Sequence, residues 1–412
     1  MDYESLIPYL SESIKQNYGD IQHVTAEVDS VKRALDTLYE RFTGQESSVQ
    51  LPVAKTSQST RRKVVGWVAG ILATVTVLLT LAAVLLLSSR SYPQNYNHSP
   101  QLEGLPAERE ALLALYHALR PRDSHPEWNL TAPSCLWNGI TCNFLNQVIG
   151  IQLFGFSVTP GVGEKLELPD IFGNFSELMI LGLNSNNINS IFPATLATLH
   201  KLEYLSLTSN QFFGTVPDLR GLRKLKALFL SDNLLTGPLD ILVQLPALES
   251  LRMQNNPINA ELPRNISLSL TELQLSHTGL HGTIPESWTS SNLKFVDIRE
   301  NNLTGSVPCL GPNLLEFDAS FNDLDGEFCG HSLTSISSLK LADNKLKGTF
   351  ELPVQALSKM DKLVLLNNQF TSFMPSSADQ LVETPTFCLA ANNDFKCPVP
   401  TWSVTKCRVT CK

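Results

Sequence analysis

One eleven-residue pattern, L-x-x-L-x-L-x-x-N-x-L, dominates the chain from Leu178 to Phe370, where it recurs nine times at intervals of 21 to 24 residues. Its alternating leucines predict a short β-strand with one apolar face. A single strand cannot bury that face alone, so successive repeats must stack into a solenoid. We therefore predict an α/β-type solenoid, a curved superhelix with a parallel β-sheet on its concave face and a long one-sided surface for binding.

The ninth position of the pattern is almost always asparagine. A buried amide offers two donors and an acceptor, so it can pair with backbone groups of the neighbouring coil. We predict a structural ladder, with no ligand role, from the following residues: Asn186, Asn210, Asn233, Asn256, Asn301, Asn322, Asn344 and Asn368. The fifth copy has Thr278 in this position, which predicts a weaker ladder there.

Tryptophan and cysteine motifs precede the repeats. An amphipathic stretch beginning near Pro106 is followed by Trp128-Asn129 and by the motif C-x-W-x-G-[apolar]-x-C from Cys135 to Cys142. With the ending G-x-[apolar]-P or a close variant in five of the repeats, these motifs resemble the leucine-rich-repeat family, especially its plant receptor-like type. The resemblance implies that Cys135 and Cys142 form a disulfide that covers the first coil.

The resemblance extends from Pro106 to the C-terminus and divides this part of the chain into three. We predict an N-terminal cap at 106–147, leucine-rich repeats at 148–383 and a cysteine-rich C-terminal cap at 384–412. The last region is similar to the caps of surface repeat proteins from single-celled eukaryotes. Its four cysteines allow three pairings, among which the sequence does not choose: Cys388, Cys397, Cys407 and Cys411.

Cys309 and Cys329 occupy similar positions in adjacent repeats. Neighbouring strands lie about 4.8 Å apart, and a disulfide needs Cα atoms roughly 4.4–6.8 Å apart. The sequence therefore favours a bridge between these two residues over a pair of free buried thiols.

Residues 64–87 carry no charge, and Arg61, Arg62 and Lys63 precede them directly. As a helix this segment is about 36 Å long, enough to cross a bilayer. The basic flank predicts that residues 1–63 are cytoplasmic and that residues 88–412, beginning with a linker at 88–105, are extracellular or lumenal. A cleaved signal peptide is disfavoured because the apolar run is long and some sixty residues precede it.

Cysteines and glycosylation sequons support this sidedness. All eight cysteines follow residue 87, as expected on an oxidising side. The N-x-[ST] sequons also all follow it, at Asn97, Asn129, Asn174, Asn265 and Asn302. We predict a single-pass type II signal-anchor protein and favour the plasma membrane over an endomembrane. Plant receptor-like proteins, in contrast, place their repeats before the span.

The predicted cytoplasmic tail carries apolar residues at 3-4 spacing over residues 7–42, which is typical of a coiled coil. Gly66 and Gly70 form a G-x-x-x-G motif that lets two membrane helices approach closely. Together they predict a homo-oligomer; an amphipathic helix on the membrane or on a partner is the alternative. Tyr3 and Leu6 fit the Y-x-x-[bulky apolar] form of a sorting signal.

No enzyme motif occurs in the sequence: a phosphate-binding loop, H-E-x-x-H, G-x-S-x-G and a kinase signature set are all missing. We expect no cofactor and no metal. The net charge of −8 argues against nucleic acid as a partner.

Function is expected on the exposed positions of the strands. Aromatic and arginine side chains there are typical of binding sites, and a cluster of carboxylates favours a basic ligand. The candidate ligand-binding residues are Tyr204, Phe229, Arg252, Gln274, Phe295, Asp297, Arg299, Asp318 and Phe321. The sequence predicts a cell-surface receptor or co-receptor that binds a peptide, protein or glycan and has no kinase domain of its own. The alternatives are an adhesion or coat protein without a signalling role and an inhibitor of hydrolases.

Overall fold

The computed structural model describes residues 105–119, 128, 131–156, 165–374, 385–399, 403–404 and 407–411. Three α-helices are described: α1 (Pro106–Leu119), α2 (Ile241–Gln244) and α3 (Val354–Leu357). Short 3-10 helices span Ser134–Leu136, Phe172–Asn174, Ala194–Thr198 and Glu286–Ser290. The strands are β1 (Ile140–Cys142), β2 (Val148–Gln152), β3 (Ile180–Gly182), β4 (Tyr204–Ser206), β5 (Phe213–Thr215), β6 (Ala227–Phe229), β7 (Leu234–Thr236), β8 (Ser250–Arg252), β9 (Glu272–Gln274), β10 (His281–Thr283), β11 (Phe295–Asp297), β12 (Asn302–Thr304), β13 (Glu316–Asp318), β14 (Ser338–Lys340), β15 (Lys347–Glu351), β16 (Lys362–Val364), β17 (Gln369–Met374) and β18 (Phe387–Leu389).

One strand from each coil joins a twelve-stranded main sheet in the order β1-β2-β3-β4-β6-β8-β9-β11-β13-β14-β16-β18. Apart from the antiparallel pair β1–β2, neighbouring strands are parallel and keep one register along the sheet. The central residue of each repeat strand, such as Leu205, Leu228 and Leu251, is buried. The predicted solenoid with a parallel sheet is confirmed, and one continuous apolar core runs through the stacked coils.

Shorter parallel strand pairs form on another flank of the coils. β5 pairs with β7, β10 with β12 and β15 with β17, each in a separate two-stranded sheet. Isolated bridges such as Val307 with Phe328 continue this pairing between other coils. We call this flank the lateral face, to distinguish it from the main sheet.

The side chains of the asparagine ladder form hydrogen bonds between each coil and the preceding one. The Asn233 amide nitrogen donates to the Leu207 carbonyl of the preceding coil at 3.0 Å, and its oxygen accepts the Phe212 N–H at 2.9 Å. Each of the other predicted asparagines likewise donates to a carbonyl of the preceding coil and accepts an N–H from it. The Thr278 hydroxyl donates within its own coil, to the Leu275 carbonyl at 2.6 Å, and lies 3.2 Å from Asn301 Oδ1 of the next coil. Among the described residues this hydroxyl has no hydrogen bond to the preceding coil. The geometry therefore agrees with a weaker ladder at Thr278.

The residue before each ladder position adopts a left-handed backbone conformation. Ten such residues have φ between 54° and 58°: Ser185, Ser209, Asp232, Asn255, His277, Glu300, Phe321, Asp343, Asn367 and Asn392. This sharp turn directs the chain out of the main sheet. The side chain of the ladder residue that follows fills the space behind the turn. Serine, aspartate and asparagine tolerate this conformation better than a bulky residue such as Phe321 does.

The N-terminal cap closes the core with aromatic rings. Trp128 stacks on Trp137 with ring centroids 4.6 Å apart, and Trp128 also stacks on Tyr116 of α1 at 5.3 Å. A disulfide joins Cys135 to Cys142, the pairing that the family resemblance implies. The apolar end of the first coil is thereby shielded from water.

The C-terminal region begins with another coil of the solenoid. β18 pairs with β16, and Cys388 takes the position that leucine holds in the repeats. Asn393 continues the ladder, because its oxygen accepts the Phe370 N–H at 3.1 Å; the sequence pattern did not reveal this rung. Of the three possible pairings, the structure has Cys388–Cys407 and Cys397–Cys411.

Several predictions from the sequence lie outside the described residues. They include the coiled coil at 7–42, the apolar segment 64–87 and the linker at 88–105, of which Leu105 alone is described. They also include the sorting-signal residues Tyr3 and Leu6, the glycines Gly66 and Gly70, and the sequons at Asn97 and Asn129. Within the described ranges, no helix is long and apolar enough to cross a bilayer.

Candidate functional site

A shallow groove of about 370 Å³ lies across the middle of the main sheet, on the face that the sequence predicts to be concave. It extends over the five adjacent strands β8, β9, β11, β13 and β14. We call it the strand groove. Its lining consists of Arg252, Glu272, Gln274, Phe295, Val296, Asp297, Glu316, Phe317, Asp318, Ser338 and Lys340.

The strand register explains why distant residues meet in this groove. Phe229 pairs with Arg252, Arg252 with Gln274, and Gln274 with Asp297. The row continues through Asp318 to Lys340. These are equivalent positions of successive repeats, so their side chains line up about one strand spacing apart.

An aromatic cluster borders the groove at its N-terminal end. Tyr204 and Phe229 contact edge to face, with ring centroids 5.4 Å apart. The Arg252 guanidinium lies over the Phe229 ring, 4.7 Å from its centroid. Such contacts contribute about 0.5–1.5 kcal/mol each and hold the side chains in place before any ligand arrives.

Arg252 also anchors the first acidic residue of the groove. Its Nε and Nη2 atoms both lie 2.9 Å from Glu272 Oε1. Ser250 donates to Glu272 Oε2 at 2.8 Å, and Gln274 donates to Oε1 at 2.7 Å. Glu272 is therefore saturated by protein donors, and Arg252 bridges the aromatic cluster and the strand groove instead of standing free for a ligand.

Asp297 and Asp318 form the centre of the groove, on adjacent strands. Lys340 Nζ lies 2.9 Å from Asp318 Oδ2, whereas the nearest cation to Asp297 is Arg299, with Nε at 3.6 Å. Burial raises the pKa of the Asp297 carboxyl above its ordinary value, opposed by the Arg299 N–H and charge and by Lys340, and reinforced by the nearby Asp318 carboxylate. Asp297 is thus a carboxylate whose charge the protein compensates only in part.

Glu316 and Phe295 present unengaged surface at the rim. Within the described residues, Glu316 has no ion pair and no side-chain hydrogen bond. The Phe295 ring is 39% exposed, although it lies between two coils of the sheet. An acidic and an aromatic group are therefore available side by side.

The structure distributes the candidate residues unevenly. Arg252, Gln274, Phe295, Asp297 and Asp318 line the strand groove, whereas the others lie outside its lining: Tyr204, Phe229, Arg299 and Phe321. Phe321 occupies a left-handed turn and is 54% exposed.

Ser338 and Lys340 also line the groove but were not among the candidates. Equivalent strand positions in the next repeat could have identified both. Glu272 and Glu316 line the groove as well and were likewise absent from the candidates, although a cluster of carboxylates was expected.

Three sequon asparagines fall within the described residues, and all three are exposed: Asn174, Asn265 and Asn302. Asn302 lies on β12, a strand of the lateral face. None of the three lines the strand groove.

Comparisons with known families agree with this architecture. Residues 105–143 match the family described as "Leucine rich repeat N-terminal domain", and residues 169–212 and 269–291 match leucine-rich-repeat families. The described part of the chain is a leucine-rich-repeat solenoid. The repeat matches and the N-terminal domain fall where the coils and the aromatic cap lie in the structure.

Similar proteins and structures come from plants. Receptor-like protein 35 of Arabidopsis thaliana is 29% identical over 214 residues, which is 50% of this chain and 21% of that protein. A plant ice-binding protein has the same leucine-rich-repeat fold (TM-score 0.59, 24% identity, 72% of this chain and 97% of that one). The PEPR1–AtPEP1 structure is similar over 72% of this chain and 50% of its own (TM-score 0.54, 25% identity). The chain spans about a fifth of the length of the curated receptor-like protein that it matches.

Proposed function

We propose that this chain is a membrane-anchored cell-surface recognition protein, receptor-like or a co-receptor, whose strand groove binds an extended peptide segment carrying a basic side chain. The observation that carries the proposal is the charge of the groove lining. The lining has four carboxylates, of Glu272, Asp297, Glu316 and Asp318, and two cations, of Arg252 and Lys340. Arg299 adds a third cation from outside the lining, 3.6 Å from Asp297 and 3.9 Å from Asp318, so the carboxylates remain in excess.

The contacts of these charges indicate where a ligand would bind. Glu272 is engaged by Arg252, and Asp318 by Lys340. Asp297 and Glu316 remain as the carboxylates with the weakest compensation, and they lie on the adjacent strands β11 and β13. A lysine or arginine of the ligand placed between them would gain two charge-assisted hydrogen bonds.

The shape of the groove favours an extended chain over a compact ligand. It is open along the sheet and crosses five strands, with the exposed Phe295 ring on its middle strand and the half-buried Tyr204–Phe229 pair beyond its N-terminal end. Phe295 at the rim and the Tyr204–Phe229 pair beyond it offer contact surface for apolar side chains of the same peptide. A volume of about 370 Å³ is at the low end for small-molecule pockets.

The membrane part of the proposal rests on the sequence. The uncharged segment 64–87, its basic N-terminal flank and the restriction of cysteines and sequons to residues after it all support a type II anchor. The exposed positions of Asn174, Asn265 and Asn302 are compatible with glycan attachment. Similarity to a receptor-like protein of Arabidopsis adds a further reason for a surface role.

The proposal is tested with the full chain in detergent micelles and an immobilised library of random octapeptides. We expect the bound peptides to be enriched in lysine or arginine at one position. The double substitution Asp297→Asn with Glu316→Gln should weaken binding of the selected peptides about tenfold. Glu261→Gln, an exposed carboxylate on the lateral face, serves as the matched control and should leave binding unchanged.

Enrichment of acidic peptides, or equal affinity in the double variant and the control, would refute the groove assignment. Orientation is tested separately by protease protection and glycosidase treatment of membranes that contain the full chain. Digestion of residues 1–63 from the cytoplasmic side, together with a glycosidase shift of the repeats, is the expected result. Unglycosylated repeats on the cytoplasmic side would refute the surface assignment.

A further inference from the structure

A disulfide and a histidine meet beside the lateral face, next to the bridge between Val307 and Phe328. Cys309 and Cys329, in adjacent coils, are bonded, with their Cα atoms 4.7 Å apart. His331 Nδ1 lies 3.2 Å from Cys329 Sγ. Within the described residues, no other set of three or more histidine, cysteine or acidic side chains brings its ligand atoms as close together.

This bond is placed differently from the other disulfides of the described chain. Cys135–Cys142 belongs to the N-terminal cap, and the remaining two close the C-terminal region. Cys309–Cys329 instead links two internal coils. Its position in the body of the solenoid calls for a role other than closing an end of the core.

The coils that it links are also held together without it. The Cys329 N–H donates to the Val307 carbonyl at 3.0 Å, and the Val307 N–H donates to Glu327 at 2.9 Å. Ser332 Oγ adds a bond to the Leu310 carbonyl at 2.6 Å. Opening the disulfide would leave these contacts in place, as in the many coil pairs of this solenoid that have no disulfide.

The site is also open to a reagent. Both cysteines are half-buried, and His331 is exposed. A thiol can therefore approach from solvent without prior unfolding of the coils. Cys388 and Cys407 are buried, whereas Cys135 and Cys142 are half-buried and Cys397 is exposed, so the feature that distinguishes Cys309–Cys329 from these accessible disulfides is the adjacent His331.

We propose that Cys309–Cys329 is a thiol–disulfide exchange site for a small thiol or a dithiol protein. The incoming thiolate attacks Cys309 Sγ, forms a mixed disulfide with it, and expels Cys329 as a thiolate. A second thiolate then attacks the incoming sulfur of that mixed disulfide and releases Cys309 as a thiolate. The coil pair gains two electrons, and the two incoming thiols leave joined as a disulfide.

The direction of attack follows from His331. An imidazole nitrogen against a sulfur can donate a hydrogen bond to the thiolate that forms there, which makes that sulfur the better leaving group. Because His331 faces Cys329, that sulfur departs and Cys309 receives the incoming group. Disulfide exchange here depends on a side chain that has no part in the core.

The test exposes the full chain to limiting reduced glutathione, blocks free thiols with N-ethylmaleimide and maps the cysteines by peptide mass spectrometry. We expect the Cys309–Cys329 bond to open first and glutathione to be found on Cys309 rather than Cys329. His331→Ala should slow this opening about tenfold. The control is His281→Ala, an exposed histidine on the lateral face that contacts no cysteine.

Three results would overturn the proposal: glutathione equally distributed on both cysteines, equal opening rates in the two histidine variants, or earlier opening of another disulfide. Circular dichroism of the singly reduced protein provides the check on folding. An unchanged spectrum is expected, and loss of the native spectrum on opening would show that the bond is required for folding rather than available for exchange. None of these readouts depends on peptide binding.

Discussion

Replacing Asn233 by alanine tests the ladder at its best-defined rung. The Asn233 side chain satisfies the Leu207 carbonyl of the preceding coil and the Phe212 N–H, and all of these atoms are buried. It also donates to the carbonyls of Leu230 and Ser231 in its own coil. Each buried group left unpaired costs about 1–3 kcal/mol. The Leu207 carbonyl keeps a second donor, Asn210 Nδ2 at 3.0 Å, so the Phe212 N–H is the group left unpaired. Together with the lost bond to Leu207, we expect Asn233→Ala to lower the free energy of unfolding by about 2–4 kcal/mol.

Thr278→Ala provides the matched comparison, because this residue occupies the same position of its own repeat. Its hydroxyl donates to the Leu275 carbonyl and contacts Asn301 of the next coil, and in the described part of the chain it has no hydrogen bond to the preceding coil. We expect this substitution to cost about 1 kcal/mol. Guanidinium unfolding followed by circular dichroism, with all disulfides intact, measures both values. Equal losses in the two variants would refute the view that cross-coil bonds are the main contribution of the ladder.

Two further predictions concern pH. Burial raises the pKa of Glu108, whose Oε1 has no hydrogen-bond partner among the described residues, above its ordinary 4.5. The folded protein therefore binds the Glu108 carboxyl proton more tightly than the unfolded chain does. The stabilisation from this proton is complete below pH 4.5 and is lost as pH rises through the raised pKa of Glu108. Glu108→Gln should remove that loss in thermal melts between pH 4 and pH 8, and an unchanged pH profile would contradict the assignment. In the strand groove, affinity for a cationic peptide should fall as the Asp297 carboxylate is protonated. Because the pKa of Asp297 is raised, this fall should occur at a higher pH than the ordinary aspartate pKa of 3.8. Peptide binding measured against pH in the wild-type protein and in Asp297→Asn is the test, and the variant should lack this pH-dependent loss of affinity.

The repeat spacing was sufficient to predict the solenoid, the strand register and the asparagine ladder. These features are set by local periodicity, which a single sequence displays directly. The row from Phe229 to Lys340 could be aligned correctly for the same reason, since equivalent positions of successive repeats must be neighbours.

The contacts within the row could not be predicted in this way. Arg252 was a candidate for ligand binding, yet it bonds Glu272 and stacks on Phe229. Which partner a long side chain chooses depends on its rotamer and on competing groups in the next coil. The rung at Asn393 was missed because Cys388 and Ala390 replace the leucines that define the pattern, although both are buried in the same way.

The recurring left-handed turn has a consequence for how this surface can vary. Its residues lie outside the paired strand segments, so one can be exchanged without changing the strand register. Asparagine or aspartate fits such a turn, whereas a bulky side chain adopts the conformation at a cost of about 1–2 kcal/mol. Phe321 carries that cost while leaving more than half of its surface in water. Selection for stability alone would favour a small polar residue there, so Phe321 stays a candidate for contact with another molecule.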